Sequence, residues 1–208
     1  MPADRAPSVL ITGIHSDHGF AISHMFRNEG WFVIGCDQGT HTGRNARVHL
    51  TADLTNEADC LRAARRAASL GNGLDCIVHC ADIQVDGPIE EIGSSAWDVM
   101  MDVNVKSVFL MSKACMPYLE EAHGRIVAIA PSLEGRDSAH AVHDATRAAV
   151  IALMSALTDE LAAHGILVHV VRPDADGRPL SDDEVAERVW SAAGFDSEGH
   201  ELSFSHSH

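Results

Sequence analysis

Short apolar runs alternate along the chain with longer segments in which apolar residues recur at helical spacing. Runs of about four to eight apolar residues between turn residues predict buried strands, and they cover residues 8–13, 31–37, 47–50, 74–80, 125–130 and 166–171. The helical segments cover residues 18–29, 57–69, 95–122, 141–164 and 182–193, with Pro117 expected near a kink or the end of the third. Residues 201–204 could form a last short strand.

This alternation, with wholly apolar strands, is typical of a parallel sheet covered by helices on both faces. We therefore expect an α/β fold with a single doubly wound parallel sheet. The chain has 208 residues without an evident linker or repeat, which predicts one domain over residues 1–208 with a flexible tail at residues 203–208. In such a fold the ligand crevice lies outside the carboxyl ends of the strands.

Composition and charge argue against several classes of partner. The chain has 15 basic and 30 acidic residues and a formal charge of −15, whereas nucleic acids and anionic membranes demand basic surfaces. No apolar run approaches the roughly 20 residues of a membrane helix. The first residues lack a signal-like pattern and the five cysteines sit mostly in apolar runs, so we expect a cytoplasmic protein with reduced thiols.

Motifs at the predicted strand ends resemble a known family. Residues 12–19 have the sequence Thr-Gly-Ile-His-Ser-Asp-His-Gly, which is similar to the T-G-x-x-x-G-x-G turn of the short-chain dehydrogenase/reductase family. Residues 74–82 resemble the family's L-D-x-x-V-N-N-A-G segment, and residues 97–106 resemble its W-x-x-x-x-x-x-N-x-x segment. The similarity runs in order from about residue 8 to residue 174 and implies a Rossmann-like fold.

The resemblance implies NAD as the cofactor. Asp37 ends the second predicted strand, where an acidic residue binds the adenosine ribose hydroxyls in NAD-preferring members. Asp53, followed by Leu54, resembles the family's adenine-contacting D-L pair. The cofactor-binding residues implied in this way are Gly13, Ser16, Gly19, Asp37, Asp53 and Ala81.

Three positions where the family has glycine are occupied by aspartate, at Asp17, Asp82 and Asp174. Asp17 adds a negative charge where the pyrophosphate would rest on a helix N-terminus. A like charge at roughly 5 Å costs on the order of 1 kcal/mol or more, so we expect weak NAD binding. In an alternative interpretation, Asp17 simply caps the helix. Asp82 and Asp174 would raise the negative potential of the crevice further.

The family's catalytic positions are altered. The tyrosine and lysine of its Y-x-x-x-K motif fall on His143 and Arg147, and its serine falls on Ala130, with Ser132 as the nearest hydroxyl. The family's asparagine is retained as Asn104. The candidate catalytic residues are therefore His143, Arg147, Asn104 and Ser132.

His143 could replace the tyrosine as proton relay, because an imidazole exchanges a proton near neutral pH without help. Arg147 lies one helical turn later, and its fixed cation disfavours a second positive charge, which favours the neutral imidazole of a general base. Arginine itself cannot relay a proton. The alternative is that His143 is an ordinary helix-face histidine in a site that has lost its chemistry.

Histidine and aspartate are also metal ligands, and seven of them map near the expected crevice. None forms a tight ligand spacing such as H-x-x-x-H on one helix, so we expect no metal site. The seven residues are His15, Asp17, His18, His79, Asp82, His143 and Asp174.

The two longest predicted helices carry apolar residues on more than one face, among them Val108, Leu110, Val150 and Leu157. One face must cover the sheet. Members of the family use the outer faces of these helices to associate, so the resemblance implies a homodimer or homotetramer. Burial of all these residues in the core is the alternative.

Three classes of function remain open. The first is an atypical NAD(H)-dependent oxidoreductase that acts on an alcohol or carbonyl, with His143 as proton relay. The second is a pseudoenzyme that keeps the fold for association or regulation. The third is a non-redox enzyme of lyase, isomerase or dehalogenase type that uses His143 and Arg147, since Arg147 is similar to the arginine of the related halohydrin dehalogenases. The sequence indicates a small-molecule substrate but does not name it.

Overall fold

The computed structural model describes residues 5–39, 46–130, 140–175 and 178–194. Six strands form the main sheet: β1 (Ser8–Thr12), β2 (Phe32–Asp37), β3 (Val48–Thr51), β4 (Cys76–His79), β5 (Arg125–Ile129) and β6 (Leu167–Val171). The helices are α1 (Asp17–Asn28), α2 (Glu57–Gly71), α3 (Ser94–Met101), α4 (Ser107–Ala122), α5 (Ala141–Ala162) and α6 (Asp182–Ala192). Two short strands, β7 (Asp174–Ala175) and β8 (Arg178–Pro179), pair in antiparallel fashion.

All six strands of the main sheet are parallel, in the order β3-β2-β1-β4-β5-β6. The predicted doubly wound α/β fold is therefore confirmed. The chain first winds outward from β1 to β3 and then returns to the other side of β1 with β4. The order thus reverses between β1 and β4, where Thr12 pairs with Cys36 on one side and with His79 on the other. This reversal opens a crevice at the carboxyl ends of these strands.

Alternate residues of each strand point into two separate apolar layers. In β1, Leu10 packs into a layer built with α2, α4 and α5, whereas Val9 and Ile11 pack into a layer built with α1 and α6. Because both faces of the sheet are covered, the central strands are apolar throughout, which is why the apolar runs located them.

Side chains outside the core fix the starts of two helices. The Ser16 hydroxyl accepts a hydrogen bond from the Gly19 N–H at 3.0 Å and caps α1. The interpretation of Asp17 as the cap is therefore wrong: Asp17 is the first residue of the helix and is exposed. Ser181 and Glu184 form a reciprocal capping box at the start of α6.

The segment predicted as one helix over residues 95–122 contains an irregularity that the sequence did not reveal. A π-helical turn, Asp102–Lys106, joins α3 to α4. Pro117 lies inside α4, which continues to Ala122, so the helix does not end at the proline. Burial of neighbouring side chains such as Cys115 and Leu119 holds the last turns in place although the proline cannot donate a backbone hydrogen bond.

All five cysteines are free thiols in buried positions. Burial raises the pKa of the Cys36 thiol to about 12 and that of Cys60 to about 11, so both stay protonated at neutral pH. Within the described ranges, no helix combines the length and the apolar character needed to cross a membrane. Ser132, the possible strand at residues 201–204 and the predicted tail at residues 203–208 lie outside the described residues.

Candidate functional site

A crevice of about 500 Å³ lies at the carboxyl ends of β1, β2 and β4. Four of the six predicted cofactor-binding residues line it: Gly13, Ser16, Asp37 and Ala81. Gly19 and Asp53 are not among its described lining residues. The remaining lining residues come mainly from the segments after β1, β2 and β4 and include His15, Gln38, Leu54, Thr55, Asp82 and Val103.

The two glycines of the first turn allow close backbone contacts. Gly13 has a φ of +65°, and an ideal Cβ on it would lie 2.4 Å from the Ala81 amide nitrogen. A Cβ on Gly19 would lie 2.3 Å from the Gly13 carbonyl oxygen. Gly13 thus lets the first turn touch the segment after β4, and Gly19 lets α1 begin against that turn.

Asp53 forms hydrogen bonds with two residues that line the crevice, Gln38 and Thr55. Its Oδ1 accepts hydrogen bonds from the Thr55 N–H at 2.9 Å, the Thr55 hydroxyl at 2.7 Å and the Gln38 amide at 2.8 Å. The bonds from Thr55, first from its side chain and then from its backbone, lower the pKa of Asp53. Asp53 therefore holds the segment from which Leu54 and Thr55 reach the crevice.

Asp37 has a histidine partner that the sequence did not predict. Its Oδ2 accepts from the His15 ring nitrogen Nδ1 at 2.6 Å and faces the His15 backbone N–H at 3.3 Å. The His15 and His49 rings are neighbours, with centroids 5.1 Å apart. The carboxylate expected to receive a ribose thus already contacts an imidazole at the crevice wall.

The predicted catalytic histidine contacts one of the substituted aspartates. The His143 Nε2 lies 2.9 Å from both carboxylate oxygens of Asp82, and the His143 side chain is only 1 % exposed. The carboxylate can only accept, so Nε2 carries the proton. Among the described residues, the buried Nδ1 of His143 has no hydrogen-bond partner.

Arg147 faces the same carboxylate more loosely. Its Nη2 lies 3.8 Å from Asp82 Oδ2, and its Nη1 lies 3.7 Å from Asp144 Oδ1. The prediction about Arg147 did not include Asp82, whose carboxylate contacts the ring directly. The effect of Arg147 on the charge state of His143 stays a prediction. Of the three substituted aspartates, Asp82 lines the crevice, whereas Asp17 and Asp174 are not among its described lining residues.

Asn104 clamps the segment that carries Asp82. Its side-chain amide donates to the Ile83 carbonyl at 2.8 Å and to the Thr146 hydroxyl at 3.1 Å, while its Oδ1 accepts from the Ile83 N–H at 2.8 Å. Asn104 is buried in the π-helical turn. Its described contacts therefore position Asp82 and α5 relative to each other.

His79 lies in the interior rather than on the crevice wall. It is buried, and its Nε2 lies 3.0 Å from the Ser112 hydroxyl. Burial lowers the pKa of His79 to about 3, so it is neutral at physiological pH. It lines a void of only about 20 Å³ together with Asn104, Thr146 and Arg147.

The seven histidines and aspartates that were mapped near the crevice do not form one group. His18 contacts Asp182 at 2.6 Å, His79 contacts Ser112 and His143 contacts Asp82. The structure instead brings together a different set, His15, Asp37 and His49, whose potential ligand atoms lie within 4.8 Å of one another. The spacing in sequence did not reveal this set, because His49 belongs to a separate strand.

The doubly wound sheet and the crevice at its switch point give the chain the architecture of the α/β class, in which ligands such as dinucleotides bind at this position. The short chain dehydrogenase family model matches residues 7–180. The chain therefore belongs to the short-chain dehydrogenase/reductase family of oxidoreductases, which confirms the resemblance found in the sequence.

Relatives and solved structures agree with this assignment. An uncharacterized oxidoreductase of Staphylococcus aureus strain USA300 is 26% identical in an alignment that covers 88% of this chain and 89% of that protein. A short-chain dehydrogenase/reductase from Serratia marcescens has a TM-score of 0.80 at 26% identity, over 91% of this chain and 89% of that one. The 3-ketoacyl-(acyl-carrier-protein) reductase from Brucella melitensis, solved with NADH, shares the fold with a TM-score of 0.82 at 24% identity, over 96% and 94%.

Proposed function

We propose that the protein is an NAD(H)-dependent oxidoreductase that acts on an alcohol or carbonyl of a small molecule, with His143 as proton relay. The observation that carries this proposal is the contact between His143 Nε2 and both oxygens of Asp82 at 2.9 Å. It supplies a titratable group, with a partner that orients it, at the position where the family has its catalytic tyrosine.

The crevice residues fit the cofactor. Gly13 would let the backbone approach the pyrophosphate, Ser16 caps the helix whose N-terminus would face it, and Asp37 would accept the ribose hydroxyls. When bound there, NAD supplies the hydride acceptor or donor. The negative charge of Asp37 would repel the 2′-phosphate of NADPH, so NADH should bind more tightly than NADPH.

The proton relay follows from the tautomer that Asp82 selects. The carboxylate accepts the Nε2–H of His143. Because Nδ1 is buried and Asp82 lines the crevice, a substrate would exchange its proton at the Nε2–Asp82 contact and not at Nδ1. A carboxylate that orients an imidazole in this way is a recurrent arrangement in acid–base catalysis. Arg147 offsets part of the negative charge of Asp82 and so holds the carboxylate in place. Ser132 remains the candidate hydroxyl at the substrate oxygen.

Asp17 is proposed to weaken the cofactor's binding. It is exposed in the first turn of α1, beside the N–H groups that would face the pyrophosphate. Asp17→Gly should tighten NADH binding roughly tenfold, which equals about 1.4 kcal/mol. Fluorescence titration with NADH measures this, and unchanged affinity would mean that the aspartate points away from the phosphates.

The relay is tested by kinetics on a panel of alcohols and carbonyls. His143→Ala should lower kcat by roughly 10²–10⁴, the usual contribution of general acid–base catalysis. Asp82→Asn should lower kcat and alter its pH profile, because the amide no longer selects the tautomer. His164→Ala is the matched control, since His164 forms an exposed contact with Glu120 at 3.0 Å far from the crevice segments. A fully active His143→Ala protein would end the relay hypothesis.

The burial of His143 favours a second candidate function. Its side chain is 1 % exposed, which suits a pseudoenzyme whose former catalytic helix now serves the fold. A wild-type protein that neither binds NADH nor converts any member of the panel would support this function. Turnover that depends on His143 and Arg147 but needs no NADH would instead support the non-redox class.

We also propose that the protein forms a homodimer or homotetramer. The support is a set of exposed apolar side chains on α3 and α4, namely Trp97, Val99 and Phe109, which are 44%, 50% and 46% exposed. Phe109→Lys should lower the mass measured by light scattering. Phe20→Lys on α1, where Phe20 is 55% exposed, should leave it unchanged. A monomeric wild type would contradict the proposal.

A further inference from the structure

Three potential metal ligands converge from three neighbouring elements beside the crevice. His15 belongs to the turn after β1, Asp37 ends β2 and His49 lies in β3. His49 pairs in register with Gly35, two residues before Asp37, so Asp37 and His49 point to the same face of the sheet. An ideal Cβ on Gly35 would lie 2.6 Å from Ile14, so the glycine also lets the His15 turn lie over this face.

The distances suit a small cation after a modest adjustment. The ligand atoms lie within 4.8 Å of one another, and His15 Nδ1 lies 2.6 Å from Asp37 Oδ2. Zinc ligand bonds of about 2.0–2.2 Å in a tetrahedron correspond to ligand atoms roughly 3.3–3.6 Å apart. The two histidines and the carboxylate would therefore shift by about 1 Å, and the proton between His15 and Asp37 would leave.

We propose that His15, Asp37 and His49 form a binding site for a divalent transition-metal ion, best matched by Zn²⁺. Two imidazoles and one carboxylate favour such an ion over Mg²⁺ or Ca²⁺, which prefer oxygen ligands. The fourth position would open toward the crevice, which His15 and Asp37 line. The strongly acidic chain, with a formal charge of −15, would attract a cation to this edge.

The site has a consequence that rests on the proposed function. Asp37 is the carboxylate that would accept the ribose hydroxyls of NAD, and a metal-bound carboxylate directs its lone pairs to the ion. Bound Zn²⁺ and bound NADH should therefore compete for Asp37, and each should weaken the other by the same factor.

The metal site is tested first by itself. Zn²⁺ is titrated into the metal-free protein by calorimetry, and Co²⁺ is added separately while its visible absorption is followed. We expect one tight site per chain, with the visible absorption of tetrahedral Co²⁺ bound by two imidazole nitrogens and one carboxylate oxygen. His49→Ala and His15→Ala should each weaken binding at least tenfold, whereas His164→Ala should not change it. His15 serves as the second variant because it is exposed, so its loss spares the core even where removal of His49 from β3 does not.

The terminal histidines need their own control. His206→Ala with His208→Ala removes the imidazoles of the last residues. Binding that disappears in this variant and persists in His15→Ala and His49→Ala would overturn the proposal, as would the absence of any site tighter than millimolar. Retained binding in the terminal variant, together with loss in the His15 and His49 variants, would support it.

The competition is tested separately by NADH titration with and without one equivalent of Zn²⁺. We expect the apparent NADH affinity to fall at least tenfold in wild type and to be insensitive to Zn²⁺ in His49→Ala. Equal NADH affinity in both conditions would overturn the shared use of Asp37. A protein that binds Zn²⁺ but no NADH would contradict the proposed function and leave the metal site standing, so the two failures are distinguishable.

Discussion

The two ends of the parallel sheet give different partners to their acidic side chains. At the amino end, buried Asp75 accepts two hydrogen bonds from the Arg5 guanidinium, at 2.6 and 2.8 Å, and one from the Ser8 N–H at 2.7 Å. At the carboxyl end, Asp37 and Asp82 each contact a histidine ring nitrogen, at 2.6 and 2.9 Å. Arginine keeps its charge at every physiological pH, whereas an imidazole can lose its proton.

This difference separates a structural end from a chemical end. Asp75 has a permanent partner and holds the start of β4 to the start of β1, so it contributes stability and nothing exchangeable. Asp37 and Asp82 have imidazole partners, which would move aside for a ribose hydroxyl, a substrate or a metal ion under the functions proposed above. Two carboxylates of the crevice, Asp37 and the substituted Asp82, thus do not stand as bare negative charges, because His15 and His143 contact them.

The largest expected effect comes from glycine replacement at the carboxyl end, and a glycine at the amino end provides the comparison. Gly13→Ala should cost roughly 4 kcal/mol, because a positive φ costs about 1–2 kcal/mol, overpacking costs about 1–3 kcal/mol and the new methyl would meet the Ala81 backbone. Gly30 precedes β2 at the amino end with a φ of +80° and open space around it, so Gly30→Ala should cost only about 1 kcal/mol. Urea unfolding measures both. Equal losses of stability in the two variants would show that the first turn and the Ala81 backbone can separate to admit the methyl group.

The buried ion pair at the amino end should have the next largest effect. Asp75→Ala should destabilise the protein by about 3 kcal/mol, because it removes charge-assisted bonds and leaves the buried Ser8 N–H without its acceptor. The loss should be the same at about pH 6 and pH 8, since the guanidinium does not titrate. Chemical unfolding at both values provides the measurement. A loss that depends on pH in this range would contradict the contrast between the two ends.

His79, at the carboxyl end of β4, should make the free energy of unfolding of the protein sensitive to acid. Its pKa falls from the model-peptide value of 6.5 to about 3 in the folded protein, because burial disfavours the imidazolium. Below pH 6.5 the unfolded chain therefore binds a proton at this histidine and the folded chain does not. The free energy of unfolding consequently decreases as the pH falls from 6.5 toward 3. Between pH 7.5 and 5.5 this group should remove about 1.4 kcal/mol.

The contribution of His79 is isolated with His79→Gln, which retains a nitrogen near the Ser112 hydroxyl. The difference between pH 7.5 and 5.5 in the free energy of unfolding should shrink by about the same 1.4 kcal/mol in this variant. An unchanged acid sensitivity would assign the effect to other histidines.

The smallest expected effect concerns the exposed pair between α1 and α6. His18 Nδ1 lies 2.6 Å from Asp182 Oδ1, but the two side chains are 34% and 47% exposed. A double-mutant cycle with His18→Ala and Asp182→Asn should give a coupling of only about 0.5 kcal/mol at pH 6. A coupling as large as the loss in Asp75→Ala would mean that exposure does not govern the difference between these ion pairs.

The sequence located the strands and most helices because their signals are local. Central strands buried on both faces, such as β1 and β4, are continuous apolar runs whatever their neighbours are. The π-helical turn at Asp102–Lys106 escaped detection, since it changes the pairing of backbone groups and not the apolar spacing. Pro117 lies in the last six residues of α4, where packing of its neighbours outweighs one missing hydrogen bond.

The candidate site was predictable in position but not in its contacts. Gly13 and Asp37 follow β1 and end β2, and a parallel sheet brings such ends together at one edge. The His143–Asp82 contact joins residues 61 apart in sequence, and His15 meets Asp37 across 22 residues. No helical or strand period connects such positions, so no pattern in the sequence indicates either partner.

By itself, the sequence determined the order of the elements, the covered parallel sheet and the edge at which the crevice lies, because apolar periodicity and strand-end motifs act within a few residues. Only the tertiary structure decided what each polar side chain does at that edge. In the folded chain His79 is buried next to Ser112, Asp82 contacts His143, and His15 and His49 lie close to Asp37. Those roles depend on strand register and helix docking, which bring together side chains that are distant along the chain.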